Sequence, residues 1–209
     1  MWNKLEMPMT DVPHGQLIII SGPSGAGKST VVRQLVTRCT LPIELSVSLT
    51  TRPMREGEVD GRDYHFVTKE QFQTLREANA FLECKEVFGR GDWYGTLRKI
   101  VDDGRAAGKW VLLEIDVQGA MAVMEQCPAA ISFFVHPGSL TELEKRLRGR
   151  GTESPQAIAR RLEVAAEEMQ AIPKYRYEII NRDVEQSVLE MCQVLEHHLV
   201  KEESNARST

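Results

Sequence analysis

A glycine-rich stretch between a predicted strand and a predicted helix places the strongest constraint on the fold of this chain. Residues 17–21 form the apolar run LIIIS, and residues 31–36 carry apolar side chains at helical spacing. The segment between them, residues 22–29, reads GPSGAGKS. Glycines let successive backbone N–H groups converge on phosphate oxygens, and the N-terminus of the following helix adds positive dipole potential. This order of elements predicts a phosphate-binding loop.

The end of this loop predicts contact with a nucleotide and a metal ion. Lys28 is expected to bridge the outer phosphates, and the Ser29 hydroxyl is expected to hold Mg²⁺. An ordinary turn is the alternative interpretation, but the full spacing and the strand and helix on either side favour a nucleotide site. The residues predicted to bind ATP in this segment are Gly22, Pro23, Ser24, Gly25, Ala26, Gly27, Lys28, Ser29 and Thr30.

The rest of the chain predicts an α/β domain with a mostly parallel sheet, because strand-like and helix-like segments alternate. Residues 110–116 are a continuous apolar run that ends in carboxylates, which is typical of a buried parallel strand with its polar end at a site. Residues 43–50 alternate as one half-buried strand, and residues 89–96 indicate a glycine-rich turn. Residues 46–98 break the alternating order and indicate an insertion.

Composition and charge exclude several classes of function. The chain has 209 residues and a formal net charge of −4, which argues against general binding to nucleic acid. No apolar stretch approaches the roughly 20 residues that span a bilayer, and residues 1–14 show no import signal. The four cysteines are widely spaced, which indicates reduced thiols. We therefore expect a cytoplasmic protein without nucleic-acid or membrane partners. The helix face with His197 and His198 is either the contact surface of a homodimer or plain exterior, and the sequence leaves both interpretations open.

A phosphate-binding loop alone leaves hydrolysis, switching and phosphoryl transfer open. Asp116 and Gly119 fit the Asp-x-x-Gly pattern of switch GTPases, but the Asn-Lys-x-Asp segment that such proteins use to read the base is absent from the sequence. A GTPase is therefore the first rival interpretation, and the missing segment counts against it.

Clustered arginines favour transfer between two phosphorylated molecules. Guanidinium groups match phosphate geometry, although a solvated surface charge is the alternative for each of them. A nucleoside monophosphate is already an anionic nucleophile, so its phosphorylation needs alignment and charge neutralisation rather than a strong base. The arginines concerned are Arg52 and Arg55 in the insertion, and Arg146, Arg150 and Arg161 far along the chain.

Seven ordered blocks resemble the guanylate kinases, a family of nucleoside monophosphate kinases. The blocks are residues 21–30, 47–58, 64–67, 81–83, 93–96, 115–119 and 146–152, within a resemblance that covers about residues 15–199. The resemblance implies transfer of the terminal phosphoryl group of Mg-ATP to GMP, and to dGMP, giving ADP and GDP. It also implies a P-loop NTPase-type core (15–45 and 99–199), a GMP-binding insertion (46–98) and a mobile lid (about 146–161), with fraying tails at 1–14 and 200–209.

The resemblance also implies a role for individual residues. Glu83 would accept hydrogen bonds from guanine N1–H and the 2-amino group, while Ser48 or Thr96 would donate to O6. Lys28, Arg52, Arg146, Arg150 and Arg161 would be catalytic, Ser29 would bind the metal, and Asn181 would lie near adenine. The implied GMP site consists of Ser48, Arg52, Arg55, Tyr64, Glu83, Tyr94, Thr96 and Asp116.

Two further interpretations share this fold. One is a guanylate kinase-like module that binds phosphorylated peptides without turnover, against which the intact Lys28 and Ser29 argue. The other is a kinase for a ribose bisphosphate, against which Glu83 and Ser48 argue because they suit a guanine. The chain departs from the family pattern by a longer segment between Glu83 and Tyr94, by Glu114 in place of aspartate, and by Arg182 in place of an acidic residue.

Overall fold

A computed structural model describes residues 15–87, 91–149, 151 and 154–206. Within these ranges the elements follow one another in the order β1 (Leu17–Ser21), α1 (Lys28–Arg38), β2 (Ile43–Leu45), β3 (Leu49–Thr50), β4 (His65–Phe66), α2 (Lys69–Glu77), β5 (Phe81–Val87), β6 (Asp92–Leu97), α3 (Arg98–Ala106), β7 (Trp110–Glu114), α4 (Val117–Gln126), β8 (Ile131–His136), α5 (Leu140–Gly149), α6 (Pro155–Met169), β9 (Tyr177–Ile180) and α7 (Val184–Ala206).

Five strands form a parallel sheet in the order β2-β7-β1-β8-β9. Strand β1 is buried on both faces because its side chains alternate between two apolar clusters. Ile18 and Ile20 pack with α1 and α7, and Leu17 and Ile19 pack with α3 and α4. The predicted α/β fold with a parallel core sheet is confirmed. The carboxyl ends of β1 and β7 therefore meet at one edge of the sheet.

A second sheet of four strands, in the order β4-β3-β6-β5, lies between β2 and α3 in the chain. Its own small core joins Leu49, Phe72 and Phe81, and the rings of the two phenylalanines stack at 4.4 Å. Helix α2 covers this core and begins with the predicted capping box, in which Thr68 and Gln71 bond each other's backbone N–H groups.

Two sequence predictions about strands are wrong. Residues 43–50 are not one strand, because β2 pairs with β7 in the parallel sheet whereas β3 pairs with β4 and β6 in the second sheet. Residues 92–97 are a strand and not a turn. Gly95 is part of that strand. A Cβ at this position would come within 2.7 Å of the Phe81 ring, so the glycine marks a close approach of the ring rather than a bend in the chain.

In the portions of the chain that the structure describes, none of the helices is both long enough and apolar enough to cross a membrane.

Candidate active site

The glycine loop connects β1 to α1 through backbone conformations that favour glycine. Gly22, Gly25 and Gly27 have φ angles of 139°, 96° and 89°, and a Cβ on Gly22 would lie 2.0 Å from the carbonyl oxygen of Val135. Helix α1 begins at Lys28 with Gly27 as its N-cap, so no side chain caps its first N–H groups. These donors and the helix dipole make the loop a suitable site for phosphate.

The Lys28 ammonium lies inside this loop. Its Nζ donates to the carbonyl oxygens of Gly22 at 2.7 Å and Pro23 at 3.0 Å. Burial lowers the pKa of Lys28, and the carboxylates of Glu114, Glu168 and Asp116 oppose that shift. The loop therefore holds a cation, and the negative charges that balance it come from carboxylates outside the loop.

Ser29 faces a carboxylate from the neighbouring strand. Its hydroxyl donates to Oε1 of Glu114 at 2.6 Å, and Glu114 is the last residue of β7. The parallel pairing of β1 with β7 carries this carboxylate to the loop. Glu114 thus orients the hydroxyl predicted to bind metal.

Asn181 and Arg146 support the loop from behind. Asn181 is 2% exposed, and its Nδ2 donates to the carbonyl oxygen of Ala26 at 2.8 Å. Arg146 donates to the backbone oxygen of Asn181 at 2.8 Å and to that of Ala26 at 3.4 Å. The Asn181 side chain thus lies beneath the loop instead of lining an open surface.

The arginines of α5 and α6 differ in their partners. Arg161 donates to the Ser24 hydroxyl of the loop at 2.6 Å, so it reaches the predicted donor site. Arg148, on the other flank of α5, pairs with Glu144. Arg150 lies outside the described residues. The two helices share a small apolar core of Leu143, Leu147, Ile158 and Ala165.

The second sheet presents the predicted base-reading residues. Thr96 is fully buried and donates to Oε1 of Glu83 at 2.7 Å. Burial raises the pKa of Glu83, and the hydrogen bond from Thr96 opposes this shift. A Cβ on Gly119, in the first turn of α4, would lie 2.9 Å from Oε2 of Glu83. The carboxylate of the second sheet thus lies against the core helix that follows β7.

A group of charged and aromatic side chains lies further along this sheet. Arg52 is 8% exposed, and it donates to Tyr94 Oη at 3.1 Å and to both carboxylate oxygens of Glu58, at 2.7 and 3.0 Å. The hydrogen bond from Arg52 lowers the pKa of Glu58. The Arg52 guanidinium also lies 5.5 Å from the centre of the Tyr64 ring, and that ring meets Tyr94 edge-on at 5.6 Å.

The remaining predicted residues lie around these groups. Arg55 is exposed, and its backbone N–H donates to Glu58 at 2.8 Å. Ser48 is partly buried just before β3, and its backbone oxygen accepts from His65. Asp116 caps α4 by accepting from the Gly119 N–H at 2.8 Å, and its other oxygen accepts from Lys85 at 3.0 Å.

The structure thus forms two groups from the predicted residues that it describes, one at the glycine loop and one on the second sheet. Sequence reasoning missed four residues that contact or face these groups: Glu58, Lys85, Gly119 and Glu168. For Lys85 the sequence does hold a signal. A strand places residue i+2 on the same face as residue i, and Glu83, two residues earlier, is a predicted site residue.

A comparison with family models gives one match to this chain, the model described as guanylate kinase, over residues 14–198. The chain belongs to the guanylate kinase family. It is 58% identical to a guanylate kinase of Rhodopirellula baltica over 87% of each chain. It is 46% identical to a guanylate kinase of Symbiobacterium thermophilum over 90% of this chain and 87% of that protein.

Solved structures agree with this assignment. A crystal structure of guanylate kinase from Anaplasma phagocytophilum superposes with a TM-score of 0.71 at 35% identity, covering 88% of this chain and 86% of that one. Membership of this family makes the chain a kinase that phosphorylates GMP to GDP with ATP.

Proposed function

We propose that the glycine loop holds ATP and the second sheet holds GMP, so that the chain catalyses ATP-dependent phosphorylation of GMP to GDP. The observation that carries this assignment is the position of Glu83 against Gly119 in the first turn of α4. Glu114, just before that helix, bonds Ser29 of the loop. The base-reading carboxylate and the phosphate-binding loop therefore share one edge of the parallel sheet. The same arrangement suits dGMP as a second acceptor.

Guanine recognition is assigned to Glu83 with Thr96 or Ser48. An ionised Glu83 accepts from guanine N1–H and the 2-amino group. The O6 atom accepts from the Ser48 hydroxyl, or from Thr96 once the single hydroxyl hydrogen of Thr96 turns away from Glu83. Adenine lacks donors at those positions and would leave a buried carboxylate unpaired. Sites of this kind discriminate by roughly 10⁴-fold. AMP is therefore expected to be a poor acceptor.

The GMP phosphate is assigned to Arg52, Arg55, Tyr64 and Tyr94. Hydrogen bonds to Tyr94 and Glu58 fix the orientation of the Arg52 guanidinium. Its remaining Nη2 N–H and its positive charge would meet the phosphate. Glu58 also bonds the backbone N–H of Arg55, so one carboxylate orders both arginines. Asp116 completes the site at the edge of the core.

On the donor side Lys28, Arg146, Arg150 and Arg161 neutralise the transferring phosphoryl group. The attacking phosphate oxygen of GMP is already anionic, so the residues need to align it and stabilise charge and need not remove a proton. Arg161 reaches the loop through Ser24. Asn181 acts by holding the loop at Ala26. The lid that carries three of these arginines is expected to exclude water on closing.

Magnesium fits the oxygen donors at the loop. The Ser29 hydroxyl and the Glu114 carboxylate, 2.6 Å apart, are hard ligands of the kind Mg²⁺ uses beside substrate phosphates. Across the described segments no three His, Cys, Asp or Glu side chains form a metal-binding cluster, which agrees with an ion held largely by the nucleotide. The Ser29 hydroxyl and the Glu114 carboxylate would hold Mg²⁺ beside the nucleotide, where the ion would neutralise phosphate charge. All four cysteines are free thiols, which supports a cytoplasmic location.

The first experiment is ADP formation from Mg-ATP with GMP, AMP, UMP or no acceptor. We expect turnover with GMP and almost none with the others. Turnover without an acceptor would indicate an ATPase, and inactivity with every acceptor would favour a phosphopeptide-binding module. Lys28→Met is expected to abolish turnover with the fold intact. Lys99→Met is the matched control, because Lys99 lies on the exposed face of α3 in an ion pair with Asp103. Full activity of Lys28→Met would refute the assignment.

A further inference from the structure

Lys85 shares a sheet face with three of the residues assigned to GMP. Strands β5 and β6 pair Glu83 with Thr96 and Lys85 with Tyr94. Residues two apart on a strand and directly opposite on its partner point the same way, so these four side chains form one face. The other face carries Cys84, Trp93 and Leu97, which pack against the small core under α2.

Lys85 connects this face to the core. Its Nζ donates to Oδ2 of Asp116 at 3.0 Å, and Asp116 follows β7 as the N-cap of α4. The other carboxylate oxygen of Asp116 is already fixed by the Gly119 N–H. The side chains of Lys85 and Asp116 are 31% and 36% exposed, so the pair is partly buried.

The charges around this pair indicate what Lys85 does in the site. Glu83 and Asp116 are carboxylates in a site assigned to an anionic nucleotide, and Glu168 lies close enough to influence both Asp116 and Lys28. Burial raises the pKa of both Glu83 and Glu168, and the positive charge of Lys85 is a smaller influence that opposes this shift in each carboxyl group. Like charges repel more strongly where water is partly excluded. Without Lys85, the GMP phosphate would approach carboxylates that have lost a counter-charge.

We propose that Lys85 is a positioning residue for GMP, which acts by holding Asp116 in place from the second sheet and cancelling its charge. The proposal rests on the proposed function, because it takes GMP as the ligand of this face. It assigns no reacting atom to Lys85. Its effect is therefore expected in the binding of GMP and not in the chemical step.

The test compares Lys85→Met with the wild type by steady-state kinetics and by calorimetric titration with GMP. A partly exposed ion pair of this kind predicts a rise of about fivefold in KM and Kd for GMP. The KM for ATP and kcat are expected to change less than about twofold. Lys85→Arg keeps the charge and should restore GMP binding. At 0.5 M salt the difference between wild type and Lys85→Met should shrink, because screening weakens the pair.

The same substitution made in the Asp116→Asn variant separates the proposed role of Lys85 from general structural support. In Asp116→Asn the partner charge of Lys85 is gone and only its weaker influence on Glu83 and Glu168 remains, so Lys85→Met should raise the Kd for GMP by clearly less than it does in the wild type. The proposal is overturned if Lys85→Met keeps the wild-type Kd, if it acts equally in both backgrounds, or if it weakens ATP and GMP alike while lowering the unfolding midpoint. A wild type that binds GMP without turnover would refute the proposed function, while the Kd comparison still tests Lys85. A wild type that does not bind GMP refutes both.

Discussion

Asn181→Ala tests the idea that the glycine loop is held from beneath by a buried amide. The substitution removes the 2.8 Å hydrogen bond to Ala26 and a longer one, 3.3 Å, from the Ser187 hydroxyl. A net hydrogen bond contributes about 1 kcal/mol, and a buried acceptor that loses its donor costs about 1–3 kcal/mol. Arg146 still reaches the Ala26 oxygen at 3.4 Å, which moderates the second cost. We expect a loss of about 2–3 kcal/mol in the free energy of unfolding.

The assay is urea unfolding followed by circular dichroism, together with a thermal scan and kinetics for both substrates. For a chain of this size the expected loss lowers Tm by about 5–10 °C. The KM for ATP should rise more than the KM for GMP, because the loop is the donor site. Gln186→Ala is the matched control, since this exposed amide on α7 should change stability by less than about 0.5 kcal/mol.

Asn181→Asp separates the hydrogen bond from the space that the side chain fills. The carboxylate has almost the same volume as the amide, but an ionised one cannot donate to the Ala26 carbonyl. We therefore expect Asn181→Asp to be at least as unstable as Asn181→Ala. A variant with aspartate that unfolds like the wild type would show that packing alone supports the loop, and the argument from Asn181 to the donor site would fail.

Three other predictions concern the second sheet. For the wild type, kcat/KM for GMP should fall when the pH is lowered through the raised pKa of Glu83, which lies above the ordinary glutamate range, because the protonated acid cannot accept both guanine donors. Glu83→Gln should not show this fall and should have a kcat/KM about 10²-fold lower than the wild type. The same acid-side fall in Glu83→Gln would contradict the role of Glu83. Gly119→Ala should raise KM for GMP with little change in stability, since its Cβ would displace Oε2 of Glu83; a normal KM would count against that contact. Gly95→Ala should lower the free energy of unfolding by about 1–3 kcal/mol through overpacking against Phe81, and denaturation curves that coincide with wild type would disprove it.

The sequence predicted the parallel core and the loop because both depend on local patterns. The run from Trp110 to Glu114 is apolar on both faces, and the glycine spacing fixes the turn into α1. The division of residues 43–50 between two sheets was not predictable, because alternation shows that a segment is extended and not which strand it pairs with. Neither was the strand at Gly95, where the glycine reflects a ring from a distant residue.

The candidate site followed the same rule. Residues in contiguous motifs, such as Lys28 and Ser29, were predicted from the sequence. Glu58 was recognised through its partner Arg52, and the ion pair of Lys85 with Asp116 was visible only in the structure. The location of Asn181 near adenine stays a prediction, whereas the contact of its side chain with Ala26 beneath the loop was not predicted. A single sequence does not show which side chains pair, because pairing depends on how the chain folds.

The strand order of the core has a consequence for how the chain is made. Strand β7 lies between β1 and β2, but β2 ends at Leu45 and β7 begins only at Trp110. At ribosomal rates of about 5–20 residues per second, β1 waits on the order of several seconds for this neighbour, and β8 emerges later still. During that interval the apolar residues 18–20 have neither edge paired. A nascent chain of this fold therefore needs protection from aggregation until β7 has been synthesised.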